Sequence, residues 1–288
     1  MAIKNILVTG ANGQLGNECR VLSEKIQNAH FTFTDVAELS ITNNEAIDAM
    51  FAKNNFDYCI NAAAYTAVDN AENDFETSNA INATAVGYLA DACKKYNCRL
   101  IHVSTDYVFN GENENGYLEE DATDPINVYG ITKLAGEKLA MEKEANAIVI
   151  RTSWVYSYFG KNFVKTMMKL MAEKPSISVV ADQIGKPTYA ADLASVIFKI
   201  IFSEKTIAPG LYHFSNQGVI SWYEFALAIK EIGGYTCDVN PIPSSAYPVP
   251  AKRPHFSILN TDKISAACGI EIPQWRDSLV KCMALLNN

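Results

Sequence analysis

Long hydrophobic runs are missing from this sequence. No apolar stretch approaches the roughly 20 residues that a helix needs to cross a bilayer, so no membrane role is expected. Positive charge is scarce as well: 24 Lys and Arg stand against 32 Asp and Glu, a formal net charge of −8. Non-specific nucleic-acid binding needs the opposite balance. The histidines, His30, His102, His213 and His255, are scattered with no two at metal-ligand spacing, which points to structural roles. The seven cysteines (Cys19, Cys59, Cys93, Cys98, Cys237, Cys268 and Cys282) form no CxxC pair. An odd, unpatterned set suits buried thiols in a reducing compartment. Internal repeats and low-complexity tracts are absent. The start, Met1-Ala2-Ile3-Lys4-Asn5, meets Gly10 after a short apolar run and reads as a strand, not a signal peptide. A cytoplasmic protein without nucleic-acid or membrane partners is the expectation.

Apolar residues, by contrast, are plentiful. Of 288 residues, 49% are hydrophobic and 19% charged, enough core for one large domain or two coupled ones. Up to about residue 150, short β-branched runs alternate with longer helical patterns. Strands are predicted at Ile6-Leu7-Val8, Phe31 to Asp35, Tyr58-Cys59-Ile60, Leu100 to Val103 and Ala147 to Ile150. Helices are predicted from Gly13 to about Lys25, Asn44 to Lys53 (begun near Thr42), Thr77 to Tyr96 and Val128 to Glu144. The strand runs are nearly all apolar, as parallel strands covered on both faces require. The pattern predicts an α/β fold, a doubly wound parallel, Rossmann-like sheet with right-handed crossovers.

Beyond residue 150 the rhythm loosens. Helices are predicted over Asn162 to Glu173 and Ala191 to Ser203, a strand over Gly210 to Phe214, and helix again from Asp262. Five prolines between Pro241 and Pro254 predict a long, stiff loop. The tail reads as a smaller, mixed α/β domain over the carboxyl edge of the sheet, where such folds bind ligands. The expected division assigns 1–150 and about 190–220 to dinucleotide binding. It assigns about 151–189 and 221–288 to the substrate.

Directly after the first strand comes Gly10-Ala11-Asn12-Gly13-Gln14-Leu15-Gly16. Glycines at a strand-to-helix turn let backbone N–H groups approach a pyrophosphate at a helix N-terminus, where the helix dipole favours anions. The spacing is GxxGxxG rather than GxGxxG, and an ordinary tight turn is the alternative. Asp35 ends the second strand, 19 residues past Gly16. Its carboxylate suits an adenosine ribose hydroxyl, which leans towards NADH; a turn cap is the other reading.

Tyr129-Gly130-Ile131-Thr132-Lys133 puts a phenol and an ammonium four residues apart on one helix face. Tyrosine's ordinary pKa near 10 suits it poorly to acid–base work at neutral pH, and a nearby cation is expected to lower it. Ser104-Thr105 ends the fourth strand 24 residues before Tyr129, where a hydroxyl can bind the carbonyl that the tyrosine protonates. Arg253 is the basic candidate for a substrate diphosphate, with a surface ion pair as its alternative. Trp222 and Tyr223 open a helix and read as core, and the acidic run Glu112 to Asp121 reads as a solvated loop.

With these motifs in order, the chain resembles the extended short-chain dehydrogenase/reductases and, within them, the dTDP-4-dehydrorhamnose reductase family. The likeness runs through Asn61-Ala62-Ala63-Ala64-Tyr65-Thr66-Ala67-Val68-Asp69, Ser104-Thr105-Asp106-Tyr107-Val108-Phe109, Tyr129-Gly130, Lys133-Leu134-Ala135-Gly136-Glu137 and Arg151-Thr152-Ser153-Trp154. It continues through Asp182-Gln183, Ser221-Trp222-Tyr223 and Arg253-Pro254-His255. The resemblance implies hydride transfer from NADPH or NADH to the C4 keto group of a dTDP-sugar, with Tyr129 as proton donor. It implies that Lys133 holds the nicotinamide ribose, that Thr105 binds the C4 oxygen, and that Asp106 and Trp154 contact the sugar nucleotide. Gly13, Gln14, Leu15, Asp35, Ser40, Ile41, Ala64, Tyr65, Thr66 and Val103 fall where the family meets the dinucleotide.

Related sugar-nucleotide dehydratases need Asp-Glu after the threonine. Asp106-Tyr107 lacks the second carboxylate, which favours simple reduction. Two departures stand out: Phe256 replaces a usual asparagine, and Ser40 replaces a common acid. Some members bridge a dimer with a divalent cation such as magnesium. Glu18 matches one ligand position, but Ala191-Asp192 replaces the later acidic pair, which argues against a metal bridge. A homodimer is expected by analogy of fold. The alternatives are another nucleotide-sugar 4-keto reductase or epimerase of this fold, and a non-catalytic regulatory subunit.

Overall fold

The computed structural model describes residues 3–286. Met1 and Ala2 of the apolar start, and Asn287 and Asn288 at the end of the expected second domain, lie outside them. The first half runs β1 (Lys4–Thr9), α1 (Gln14–Ser23), β2 (Ala29–Thr34), α2 (Asn44–Asn54), β3 (Tyr58–Asn61), α3 (Val68–Ala71), α4 (Phe75–Asn79) and α5 (Ala85–Lys95). It then continues through β4 (Arg99–Thr105), α6 (Val128–Lys143) and β5 (Ile148–Thr152). The second half contributes β6 (Val155–Tyr156), α7 (Phe163–Glu173), β7 (Ser176–Val180), β8 (Ile184–Gly185), β9 (Thr188–Tyr189) and α8 (Ala190–Phe202). After these come β10 (Gly210–His213), β11 (Ile220–Ser221), α9 (Trp222–Gly233), β12 (Asp238–Ile242), β13 (Phe256–Ser257), α10 (Asp262–Cys268) and α11 (Trp275–Leu286).

A six-stranded parallel sheet in the order β10-β5-β4-β3-β1-β2 forms the centre. Its apolar strands serve two cores at once, because successive side chains point to opposite faces. Ile6 and Val8 of β1 pack with Ile60, Ile101, Ile148 and Ile150 against α1 and α8. Leu7 packs with Cys59, Leu100 and Val149 against α2, α5 and Ala140 of α6. The strand order reverses around β1, which opens a crevice at the carboxyl ends of β1 and β3. All seven cysteines are buried and unpaired. No helix among the described residues is long and apolar enough to cross a membrane.

A third core joins α7, α9 and α11 with β7 and β9, around Val164, Phe225, Leu279 and Met283. The strands of this lobe are short. β11, β8 and β13 form one small sheet, β12 pairs with β7, and β6 pairs with β9. Residues 190–213 return to the main sheet, where β10 pairs in parallel with β5.

Three elements differ from their sequence-based expectation. The single helix predicted from Thr77 to Tyr96 is interrupted by a π-helical turn, Ala80–Thr84. The extra residue turns Asn82 towards Tyr65: its Oδ1 accepts from the Tyr65 N–H at 2.8 Å and its Nδ2 donates to the Tyr65 carbonyl at 3.1 Å. The proline-rich segment is not loop throughout, since Pro241 lies in β12, a strand of a two-stranded ladder where an edge tolerates the missing N–H. The helix expected from Asp262 onward is two helices, because Gly269 at φ +61° ends α10 in the left-handed conformation.

Candidate active site

The first side of the site is the turn between β1 and α1. Gly10 has φ +66°, and a β-carbon there would sit 2.6 Å from the Ala63 nitrogen. One on Gly16 would sit 2.4 Å from the Gly10 carbonyl, so both positions demand glycine. Gly13 opens α1 with no side-chain cap, which leaves the first-turn N–H groups for an anion. Gln14 accepts from Asn162 Nδ2 at 2.9 Å, while Leu15 packs into the core. Asp35 follows β2; its Oδ2 accepts from the Asn12 N–H at 2.9 Å and its Oδ1 from the Val36 N–H at 2.8 Å. The Asp35 carboxylate thus ties the two turns together. Ser40 hydrogen-bonds the Thr42 hydroxyl, Ile41 is buried, and Ala64, Tyr65 and Thr66 form the loop after β3.

The second side is the end of β4 and the start of α6. Asn127 caps α6 by accepting from the Gly130 N–H at 2.8 Å, which fixes the helix start two residues before Tyr129. Lys133 lies one turn further, with only 2% of its surface exposed, and donates from Nζ to the Val103 carbonyl at 2.7 Å. Thr105 donates from Oγ1 to Asp106 Oδ1 at 2.9 Å. The structure thus brings Val103, Thr105, Asp106, Tyr129 and Lys133 together at the carboxyl edge of the sheet.

Burial sets the electrostatics. It pushes the Lys133 ammonium down to about 8, with Glu137 pulling weakly the other way. It pushes the Asp106 carboxyl up to about 6 against hydrogen bonds from Ser257 and Thr105. The Tyr129 phenol is also pushed up by burial, offset in part by a hydrogen bond with Thr105 and reinforced by Asp106 and Tyr107. This corrects the expectation of a lowered phenol. The loss of water, and not the Lys133 charge, sets the phenol, and Tyr129 keeps its proton. A protonated phenol is the form that a reduction consumes.

Several contacts around the site are not legible in the sequence. Thr9 donates to Asn61 Oδ1 at 2.7 Å, and Asn61 Nδ2 donates to His102 Nδ1 at 3.0 Å, a buried polar row across β1, β3 and β4. A polar residue closing an otherwise apolar parallel strand was the available signal. Arg151 makes a buried, two-pronged ion pair with Glu137, at 2.9 and 2.8 Å. Tyr107 packs edge-on against Tyr129, with ring centroids 5.5 Å apart.

Trp154 and Arg253 approach from the second lobe. Trp154 has φ +48° and stacks on Trp222 with centroids 3.7 Å apart; a side chain on Gly185 would strike its ring at 2.8 Å. Arg253 donates to Tyr107 Oη at 2.9 Å and to Asp69 Oδ2 at 2.7 Å. Glu18 is buried and accepts from Ser157 Oγ at 2.6 Å, while Asp192 accepts from Asn216 and Ser278. Neither carboxylate belongs to a cluster of three or more potential metal ligands among the described residues.

The arrangement fits a nicotinamide dinucleotide. The uncapped helix start suits a pyrophosphate. The Lys133 ammonium spends one of its three donors on Val103, which leaves two for ribose hydroxyls. The buried Asp106 Oδ2 has no hydrogen-bond partner among the described residues.

Comparison with known proteins agrees. The family described as RmlD substrate binding domain matches residues 4–288. A dTDP-4-dehydrorhamnose reductase of Aggregatibacter actinomycetemcomitans is 40% identical over 283 residues, covering 95% of this chain and 96% of the relative. The crystal structure of such a reductase from Clostridium acetobutylicum superposes with a TM-score of 0.94 at 37% identity, covering 99% of this chain and 100% of that one. One from Bacillus anthracis, solved in complex with NADP, gives 0.93 at 36%, covering 98% and 99%. The chain belongs to the dTDP-4-dehydrorhamnose reductase family.

Proposed function

We propose that the protein reduces the C4 keto group of dTDP-4-dehydro-L-rhamnose to give dTDP-L-rhamnose, with NADPH or NADH as reductant. The observation that carries this reading is the placement of Thr105, Tyr129 and Lys133 at the carboxyl edge of the sheet, beside an uncapped helix start. Bound NAD(P)H supplies the hydride. Gly10, Gly13 and Gly16 let the backbone approach its pyrophosphate, Asp35 meets the adenosine ribose, and Lys133 holds the nicotinamide ribose.

Tyr129 gives the phenolic proton to the C4 oxygen. Burial keeps that proton in place until a basic oxygen appears. Thr105 has one hydroxyl proton, shared with Asp106. Turning it onto the carbonyl oxygen polarises the bond while Asp106 turns to a sugar hydroxyl. The lobe of about 151–189 and 221–288 brings Trp154 and Arg253 to the nucleotide sugar. Elimination is disfavoured because Tyr107, and not a carboxylate, follows Asp106, and Arg253 occupies its hydroxyl. The NADP complex of the Bacillus anthracis relative supports the cofactor. A cytoplasmic location and a homodimer belong to the same proposal, the latter by analogy of fold.

Tyr129→Phe tests the mechanism. The variant is expected to bind NADPH normally and to lose roughly 10²–10⁴-fold in turnover, the worth of general acid catalysis. Near-normal turnover would remove Tyr129 from the role of proton donor.

A further inference from the structure

We propose that Tyr107 is a positioning residue for Tyr129, steered by the Asp69–Arg253 ion pair. The inference rests on Tyr129 being the proton donor.

Tyr107 touches each part of the proton-delivery apparatus. It sits in the single turn Asp106–Val108 that follows β4. Its N–H donates to Thr105 Oγ1 at 3.2 Å. Its carbonyl lies so close to α6 that a β-carbon on Gly130 would come within 2.2 Å of the oxygen. Its ring meets the Tyr129 ring at 79°, with centroids 5.5 Å apart, the edge-to-face contact that aromatic pairs favour. The backbone of one residue thus places the substrate-facing hydroxyl and the first turn of α6, and its ring places the phenol.

The outer end of the ring is tethered. Tyr107 Oη accepts from Arg253 Nη1 at 2.9 Å, and Arg253 Nη2 reaches Asp69 Oδ2 at 2.7 Å. Asp69 Oδ1 also accepts the Ala251 N–H at 3.2 Å, and the Lys252 carbonyl accepts from Asn127, the cap of α6, at 2.8 Å. Residues 251–253 are therefore pinned at two points, one of them the cap of the helix that carries Tyr129. A phenol swings on two side-chain torsions, and the tethered Tyr107 ring closes off one side of that swing. Seating of the second lobe is in this way coupled to the position of the proton.

Tyr107→Phe keeps the ring contact and breaks the tether. We expect kcat to fall about tenfold with NADPH affinity by fluorescence unchanged, and the melting temperature to drop because the same hydrogen bond to a charged group is lost. The solvent deuterium isotope effect on kcat should rise, because misplaced proton delivery becomes rate-limiting, whereas lost packing would leave it alone. Asp69→Asn, which leaves Tyr107 intact, should reproduce the isotope effect with a smaller fall in kcat. Asp69→Asn combined with Tyr107→Phe should lower kcat no further than Tyr107→Phe alone. A wild-type kcat in Tyr107→Phe, or a fall with an unchanged isotope effect, overturns the proposal. Tyr129→Phe run alongside separates the two readings. If it retains turnover, the proton-donor assignment fails; if it is inactive while Tyr107→Phe is unaffected, only the positioning role fails.

Discussion

Raising the pH should reduce the activity of this protein while raising its stability, over the same window and through the same residue. Lys133 is 2% exposed and makes one hydrogen bond, to Val103. Burial brings its ammonium from the usual 10.5 down to about 8. That difference amounts to about 3 kcal/mol in favour of the neutral amine relative to an unfolded chain. Between pH 8 and 10.5 the unfolded chain holds a proton that the folded chain has released, so stability rises with pH across that interval. Below pH 8 both states are protonated and the full penalty applies. On the proposed role of Lys133 the reaction runs the other way, because the cation would hold the ribose. On the free enzyme, kcat/KM should be flat up to about pH 8 and then fall about tenfold per pH unit. Melting temperatures of wild type and Lys133→Met, compared from pH 7 to 9.5, supply the other half. The wild type should gain on the variant by several degrees, at roughly 2–4 °C per kcal/mol for a chain of this order of size. Activity that stays level to pH 9.5, or two melting curves that run parallel with pH, would refute the reasoning.

Two further outcomes follow from packing and charge. Glu137→Gln leaves the Arg151 guanidinium buried against a neutral amide, and chemical denaturation should show a loss of about 3–5 kcal/mol; a loss under 1 kcal/mol would mean that water reaches the pair. Gly130→Ala puts a β-carbon 2.2 Å from the Tyr107 carbonyl and must move the turn that carries Thr105 and Asp106. Turnover should fall about 100-fold with cofactor affinity retained, as displacement of reacting groups by an ångström does.

The large sheet was legible because β1, β3, β4 and β5 carry nearly unbroken apolar runs, as parallel strands covered on both faces require, even though β2 alternates Phe with Thr. The second lobe was not, since β6, β8, β9, β11 and β13 are two residues long and show no period. The break in the helix predicted from Thr77 had no Gly or Pro to announce it; it comes from the bond between Asn82 and Tyr65, 17 residues apart. In the site, the spacing of Tyr129 and Lys133 survives translation into structure because both lie on one helix. Tyr107 could not be read, because its role depends on Arg253, 146 residues away. Trp222, taken for core, does pack beside the third core, but it also carries the Trp154 ring. The direction in which the Tyr129 phenol moves was misjudged for a related reason: spacing reveals a neighbouring charge and not the amount of water excluded.

The most direct test of the central claim is to supply purified protein with dTDP-4-dehydro-L-rhamnose, follow the loss of NADPH or NADH by absorbance, and identify the product by NMR. Rapid oxidation of either cofactor with dTDP-L-rhamnose as the product is the predicted result. Cofactor that binds but is not oxidised, or a product with the opposite configuration at C4, would contradict it.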